Sequence, residues 1–280
     1  MSRDGLKEAV HDPLFRMGLF LFGCVVITLV AGRLLTPFAP DDMSFIPLSP
    51  PSWEHLLGIN DGGQDIFTEL VFAGGNSLGF GLICGGATLF MGIFAGLFSA
   101  WYQGLVDQLI MRISDILLSI PSIMILIFIA ALFRPPPVIL ALILAVMSWP
   151  TLARSFRAQG LILKKRLHIA AASQMGAGSF YIIRTHLVPE LFPLYLVGFA
   201  GKMRMAMFME ATLAFLGLFD PSRKSLGMMI SYALKYYYMD IWWNWFAPPV
   251  AFLTIMIMSV TFLAISMEKV FDPRIRNTTG

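Results

Sequence analysis

Residues His168 to Pro189 read HIAAASQMGAGSFYIIRTHLVP, a polar-studded island between two long apolar runs. Ile169 to Met175 is rich in alanine, the strongest helix former, and Gly176 with Gly178 supplies the conformational freedom that stops a helix. A second short helix is expected from near Ser179. In it Phe180, Ile183 and Leu187 fall at i, i+3 and i+7 and form one apolar stripe, with Arg184 pointing elsewhere. Pro189 is expected to end it. Neither piece approaches the roughly 20 residues needed to cross a bilayer. Two short amphipathic helices meeting at a glycine suit docking on another protein.

The surrounding chain is of a different kind. Of 280 residues, 57% are hydrophobic and 13% charged, with mean hydropathy +0.74. Soluble domains carry about 25% charged residues. The composition describes an all-α, polytopic membrane protein, with the lipid bilayer as its surroundings and no sign of nucleic acid. Cys24 and Cys84 lie in apolar runs and act as small hydrophobes, so no disulfide framework follows.

Six spans are expected: Met17 to Leu35, then about Gly75 to Trp101, Leu109 to Phe133, Val138 to Leu152, Leu191 to Phe219 and Phe246 to Met267. The acidic residues ahead of the first, and Arg33 near its end, argue against a cleaved signal peptide. From Thr36 to about Gly74 the chain is proline-rich and acidic and holds no Lys or Arg. With both termini cytoplasmic, 12 of the 20 Lys and Arg fall in the tails and the island, and 4 in the outer loops. The positive-inside rule then puts the island in the cytoplasm. Gly75/Gly79, Gly81/Gly85 and Gly92/Gly96 form small-xxx-small pairs that let helices approach closely.

Several motifs agree on a family. The island resembles the cytoplasmic "EAA" loop of ABC-importer permeases, through Ala171, Ala172, Gly176 and the ending His186 to Pro189. Ala170 stands where that loop has an acidic residue. His55 to Leu78, HLLGINDGGQDIFTELVFAGGNSL, is similar to the outer signature of the C-type permease subunits of dipeptide, oligopeptide and nickel importers, with Gln64 and Glu69 in place of arginines. Arg112 to Pro121, Met209 to Leu218 and Phe271 to Arg274 match further motifs of that family in the correct order.

The resemblance implies a type I ABC importer permease fold. Residues 1–75 form the cytoplasmic tail, first span and outer acidic segment, and residues 76–280 a core of five spans with the coupling loop at 154–190. It implies a prokaryotic cell (inner) membrane, a homologous second permease, two ABC ATPase subunits that hold the ATP and Mg, and an extracytoplasmic substrate-binding protein. No cofactor is expected on this chain. Ala170, Ala171, Ala172, Gly176, His186 and Pro189 would couple to an ATPase. Short peptides are the expected cargo, with nickel or a metal chelate as the alternative. An ATP-independent channel is a reading of another class, which gives the island no purpose.

Within the spans, Arg112 and Asp115 are three apart on one helix and are expected to form a structural ion pair. Lys202, Arg204 and Glu210 are costly in a bilayer and are expected to border the translocation path. The methionines among them, at positions 203, 205, 207 and 209, share no single helix face, so packing explains them better than a metal ladder. Gly75 to Gly79 fits G-x-S-x-G, the nucleophile elbow. His11, His55, His168 and His186 all lie outside the spans, so no base serves Ser77. No HExxH and no P-loop occurs, so neither metal-dependent hydrolysis nor ATP binding is expected of this chain.

Overall fold

The computed structural model describes residues 12–220, 223–240 and 242–271, with side chains described through 268. The basic residues Arg3, Lys7, Arg274 and Arg276, and the ending Asp272-Pro273-Arg274, lie outside the described residues. Among those described, the fold is helical, with one isolated bridge between Ile59 and Asp65.

Helix α1 (Pro13–Leu35) starts with Asp12 accepting from the Leu14 amide and Pro13 in the first turn, where a missing N–H costs nothing. Helix α2 (Ile66–Tyr102) is capped by Asp65, whose side chain accepts from the Thr68 amide. It begins nine residues before the expected span, so the end of the outer signature is helical. At 1.5 Å per residue its 37 residues reach about 55 Å, more than a hydrocarbon core. Helices α3 (Gly104–Ser119) and α4 (Ser122–Phe133) occupy the expected third span but bend by 69° at the break containing Pro121.

Helix α5 (Pro137–Lys164) runs 12 residues past its expected end and carries Arg154, Arg157 and Lys164 as helix rather than loop. The island follows, then α8 (Phe192–Phe215), the short outer helix α9 (Leu226–Ala233) and α10 (Trp242–Phe271). Helices stand at all six expected places. Four of them are long and apolar enough to cross a membrane among the described residues, or five if the bent pair is one span. Helix α8, with Lys202, Arg204 and Glu210, is not among them.

Helix α2 is the mast. Its N-terminal end packs with α1, α8, α9 and α10, through Leu29, Leu70, Met207 and Trp245. Its middle meets α4, α5 and α8, through Cys84, Leu126, Leu144 and Leu213. Its C-terminal end, at Leu97, joins Phe156 and Tyr195 and the island. Glycine makes these approaches close: a Cβ on Gly81 would stand 2.7 Å from Met207 Cγ, and one on Gly96 would stand 2.6 Å from the Ala153 carbonyl. Gly79, expected to pack likewise, has open space around it. Many large apolar side chains outside the bundle, such as Phe20, Phe90 and Phe128, are exposed, as lipid-facing positions should be.

Candidate functional site: the short helix pair

The island is two helices, as its alanines and glycines predict. Helix α6 (Leu167–Gln174) ends in a Schellman turn: the Ala177 amide donates to the Ala172 carbonyl, and Gly176 to Ser173, both at 3.1 Å. Gly176 sits at φ +85°, a conformation that favours a residue without Cβ. Helix α7 (Ser179–Ile182) then runs into a π-turn, Ile183–Leu187, and a last turn, Val188–Glu190.

That π-turn corrects two expectations. The wider turn shifts the helical phase, so Ile182, Ile183 and Leu187 are the buried residues, and they pack with Ile169, Leu97 and Phe156. Phe180 is turned outward, 66% exposed. Pro189 does not end the helical path, because the Val188 amide already reaches back five residues to the Ile183 carbonyl. Helical backbone continues to Glu190, and the break falls at Leu191.

The outward surface of the pair is apolar with basic flanks. Leu167 is 89% and Met175 84% exposed, and Phe180 and Tyr181 are exposed as well. Ala170, Ala171 and Ala172 are half-buried, as is His186, whose ring lies 5.9 Å from that of His168. Gly176 and Pro189 are exposed.

Charges pair in an order that the sequence did not show. Arg157 grips Asp107 of α3 through Nε and Nη2, at 2.6 and 2.5 Å. Asp115 pairs with Arg154 of α5, not with Arg112. The two helices lie side by side, so a cation from the neighbour reaches the carboxylate that the same-helix reading gave to Arg112. Arg112 is exposed. Lys164 donates to the Trp101 carbonyl at 2.6 Å. Arg166 Nη1 and His168 Nε2 both meet the Glu190 carboxylate at 2.7 Å. Lys165 and Arg184 make no ion pair among the described residues.

The three span charges do not converge. Glu210 is buried and accepts from Ser77 Oγ at 2.8 Å. Lys202 is half-buried on the side near Cys84. Arg204 is exposed and lies 3.4 Å from Thr261 Oγ1 of α10.

At the N-terminal end of α2 a polar cap ties the signature segment to the loop before α9. Lys224 Nζ lies 2.6 Å from Gln64 Oε1 and 3.3 Å from Glu69 Oε1, and Asn60 donates to Glu69 Oε2 at 2.9 Å. His55 Nδ1 lies 3.0 Å from Asp65 Oδ1. Tyr236 donates to Asp61 at 2.9 Å, and that carboxylate raises the phenol above its ordinary range. Gln64 and Glu69, the amide and the acid that stand in place of arginines, thus share a partner in Lys224.

Residues 90–277, which hold this helix pair, match the family model for the binding-protein-dependent transport system inner membrane component. The chain belongs to this family. A Brucella abortus protein with the provisional name of peptide transport system permease is 32% identical over 274 residues, 96% of this chain and 91% of that protein. The dipeptide transport system permease protein DppC of Bacillus subtilis is 27% identical, over 98% and 86% of the two chains. Among solved structures, a chain of the MetNI methionine ABC transporter in an inward facing conformation superposes with TM-score 0.58 and 18% identity, covering 73% of this chain and 97% of that one. That likeness speaks for the fold. The chain is an ABC importer permease and a multi-pass membrane protein.

For a permease of this family, the sequence located the island and its bend. It missed the side chains the island presents, Leu167, Met175 and Tyr181, and the acid that holds it, Glu190. Runs of apolar residues in a short helix cannot say which of them face out. The position of the π-turn decides that.

Proposed function

We propose that this permease and a second, homologous one form the translocation path for short peptides in a prokaryotic cell (inner) membrane, with both termini cytoplasmic. Two ABC ATPase subunits bind below, one of them on α6 and α7, and carry the ATP and Mg. A substrate-binding protein delivers cargo outside. The observation that carries this reading is the helix pair itself. It is rooted in the core through Ile169, Ile182 and Leu187, and presents Leu167, Met175, Phe180 and Tyr181 to solvent. Large apolar side chains exposed on short helices off the membrane mark a protein contact, and the nearby Lys165 and Arg184 favour a groove with an acidic rim. When the ATPases close on ATP they carry the pair, and α5 and α8, to which it is joined, move with it.

The peptide assignment is supported by the names of the Brucella and Bacillus relatives. Of the span charges, Arg204 is the one that faces outward, and an exposed guanidinium in a span is costly in lipid, so we place the path or the second permease against it.

Purification of the tagged chain from detergent-solubilised membranes, with mass spectrometry of its companions, tests this reading. It predicts two ATPase chains and a second permease. Recovery of the chain alone, under conditions that keep another ABC importer intact, would return the ATP-independent channel.

A further inference from the structure

Glu190 is the sole acidic residue between Arg154 and Glu190, a stretch with six Lys and Arg. Its two carboxylate oxygens are used separately: Oε2 takes Arg166 Nη1 and Oε1 takes His168 Nε2, each at 2.7 Å. Arg166 is the N-cap position of α6 and His168 lies in its first turn, while Glu190 closes the last turn after the π-segment. The contact therefore joins the beginning of the helix pair to its end, across 22 and 24 residues. Gly176 and the Schellman turn fix the opposite vertex.

The helices meet at their bend and through the packing of Ile169 with Ile182 and Leu187, a non-directional apolar contact that by itself sets no single angle. A third link at the root makes a triangle, whose angle is set. A single ion pair this exposed contributes little to stability, so its consequence is geometric. The position that carries an acid in the resembled loops is Ala170 here, which leaves Glu190 to supply the island's carboxylate.

We propose that Glu190 is a positioning residue that clamps Arg166 and His168 and so makes α6 and α7 one rigid lever between an ATPase subunit and the spans. This rests on the coupling role proposed above. A rigid lever passes the motion of the ATPase to α5 and α8, whereas an unclamped pair absorbs it at Gly176.

The test uses the complex of this chain with its second permease and ATPases in lipid nanodiscs. Cys24 and Cys84 are replaced by alanine, and nitroxides are placed on cysteines at two exposed positions, Ser173 on α6 and Thr185 in the π-turn that follows α7. Pulsed electron resonance then gives the distance between the helices with and without ATP. The original clamp should give one narrow distribution that ATP leaves unchanged. Glu190→Gln should still bind the ATPases and hydrolyse ATP within twofold of the original rate, but give a distribution at least twice as broad that shifts with ATP. Arg166→Gln with His168→Gln should reproduce this, which guards against a folding defect peculiar to one variant. The exchanged pair Arg166→Glu with Glu190→Arg should restore the narrow distribution. A narrow, ATP-independent distance in Glu190→Gln would overturn the clamp while leaving the coupling role in place. Absence of ATPases from the unsubstituted complex would overturn the coupling role and the clamp with it.

Discussion

Ser77 on α2 donates its hydroxyl to the Glu210 carboxylate on α8, 2.8 Å away, with both side chains buried. The bond ties α2 to α8 inside the core. Ser77→Ala removes a donor from a buried charged group and should cost about 1–3 kcal/mol. Glu210→Gln keeps an acceptor for Ser77 and should cost less. Thermal unfolding in detergent ranks the two, and the reverse ranking would contradict this reading of the site.

Lys224 is the counter-charge of a fully buried acid. Lys224→Ala would strand Glu69 with only Asn60 for a partner, and breaking such a pair from one side costs about 3–5 kcal/mol. The paired change Lys224→Met with Glu69→Leu removes both charges and should recover most of that loss. If the double variant unfolds earlier than Lys224→Ala, the pair acts in some way other than charge compensation.

Gly96→Ala places a Cβ 2.6 Å from the Ala153 carbonyl oxygen and 2.8 Å from Phe156 Cβ, so α2 and α5 must separate. The expected cost is about 1–3 kcal/mol. Gly86→Ala meets nothing within 4 Å and should be neutral or slightly stabilising through helix propensity. Yield and melting temperature of the two variants, side by side, check this.

Asp107 holds the N-terminal end of α3 to α5 by accepting two bonds from Arg157, and it accepts one from Ser99. The pair is partly exposed, between the limits set by surface and buried ion pairs, so Asp107→Asn should cost about 1–2 kcal/mol. Asp115→Asn, whose pair with Arg154 is open to solvent, should change stability by under about 1 kcal/mol. Equal effects would mean that the bidentate geometry confers nothing.

What could be read from sequence followed how local its cause was. The Ala-rich helix and the stop at Gly176 depend on neighbours in sequence, and both formed as expected. The π-turn at Ile183–Leu187 depends on which apolar residues the core accepts, so the stripe through Phe180 failed. Asp115 chose Arg154 because α5 packs beside α3, a fact of tertiary structure that spacing on one helix does not contain. Glu190 meets Arg166 and His168 across more than 20 residues for the same reason. The span charges were more legible than the reading made of them: at 100° per residue, Lys202 and Arg204 stand about 160° apart and Arg204 and Glu210 about 120°, so one face shared by all three was never available.

The central claim is that the exposed face of α6 and α7 seats an ATPase subunit. A photo-reactive amino acid at Phe180, irradiated in intact membranes, tests it most directly, with the same group at Phe90, exposed on the side of α2, as the comparison. The account predicts a crosslink from position 180 to an ABC ATPase chain and none from position 90. A crosslink from 180 to lipid alone, or to the ATPase from both positions equally, would contradict it.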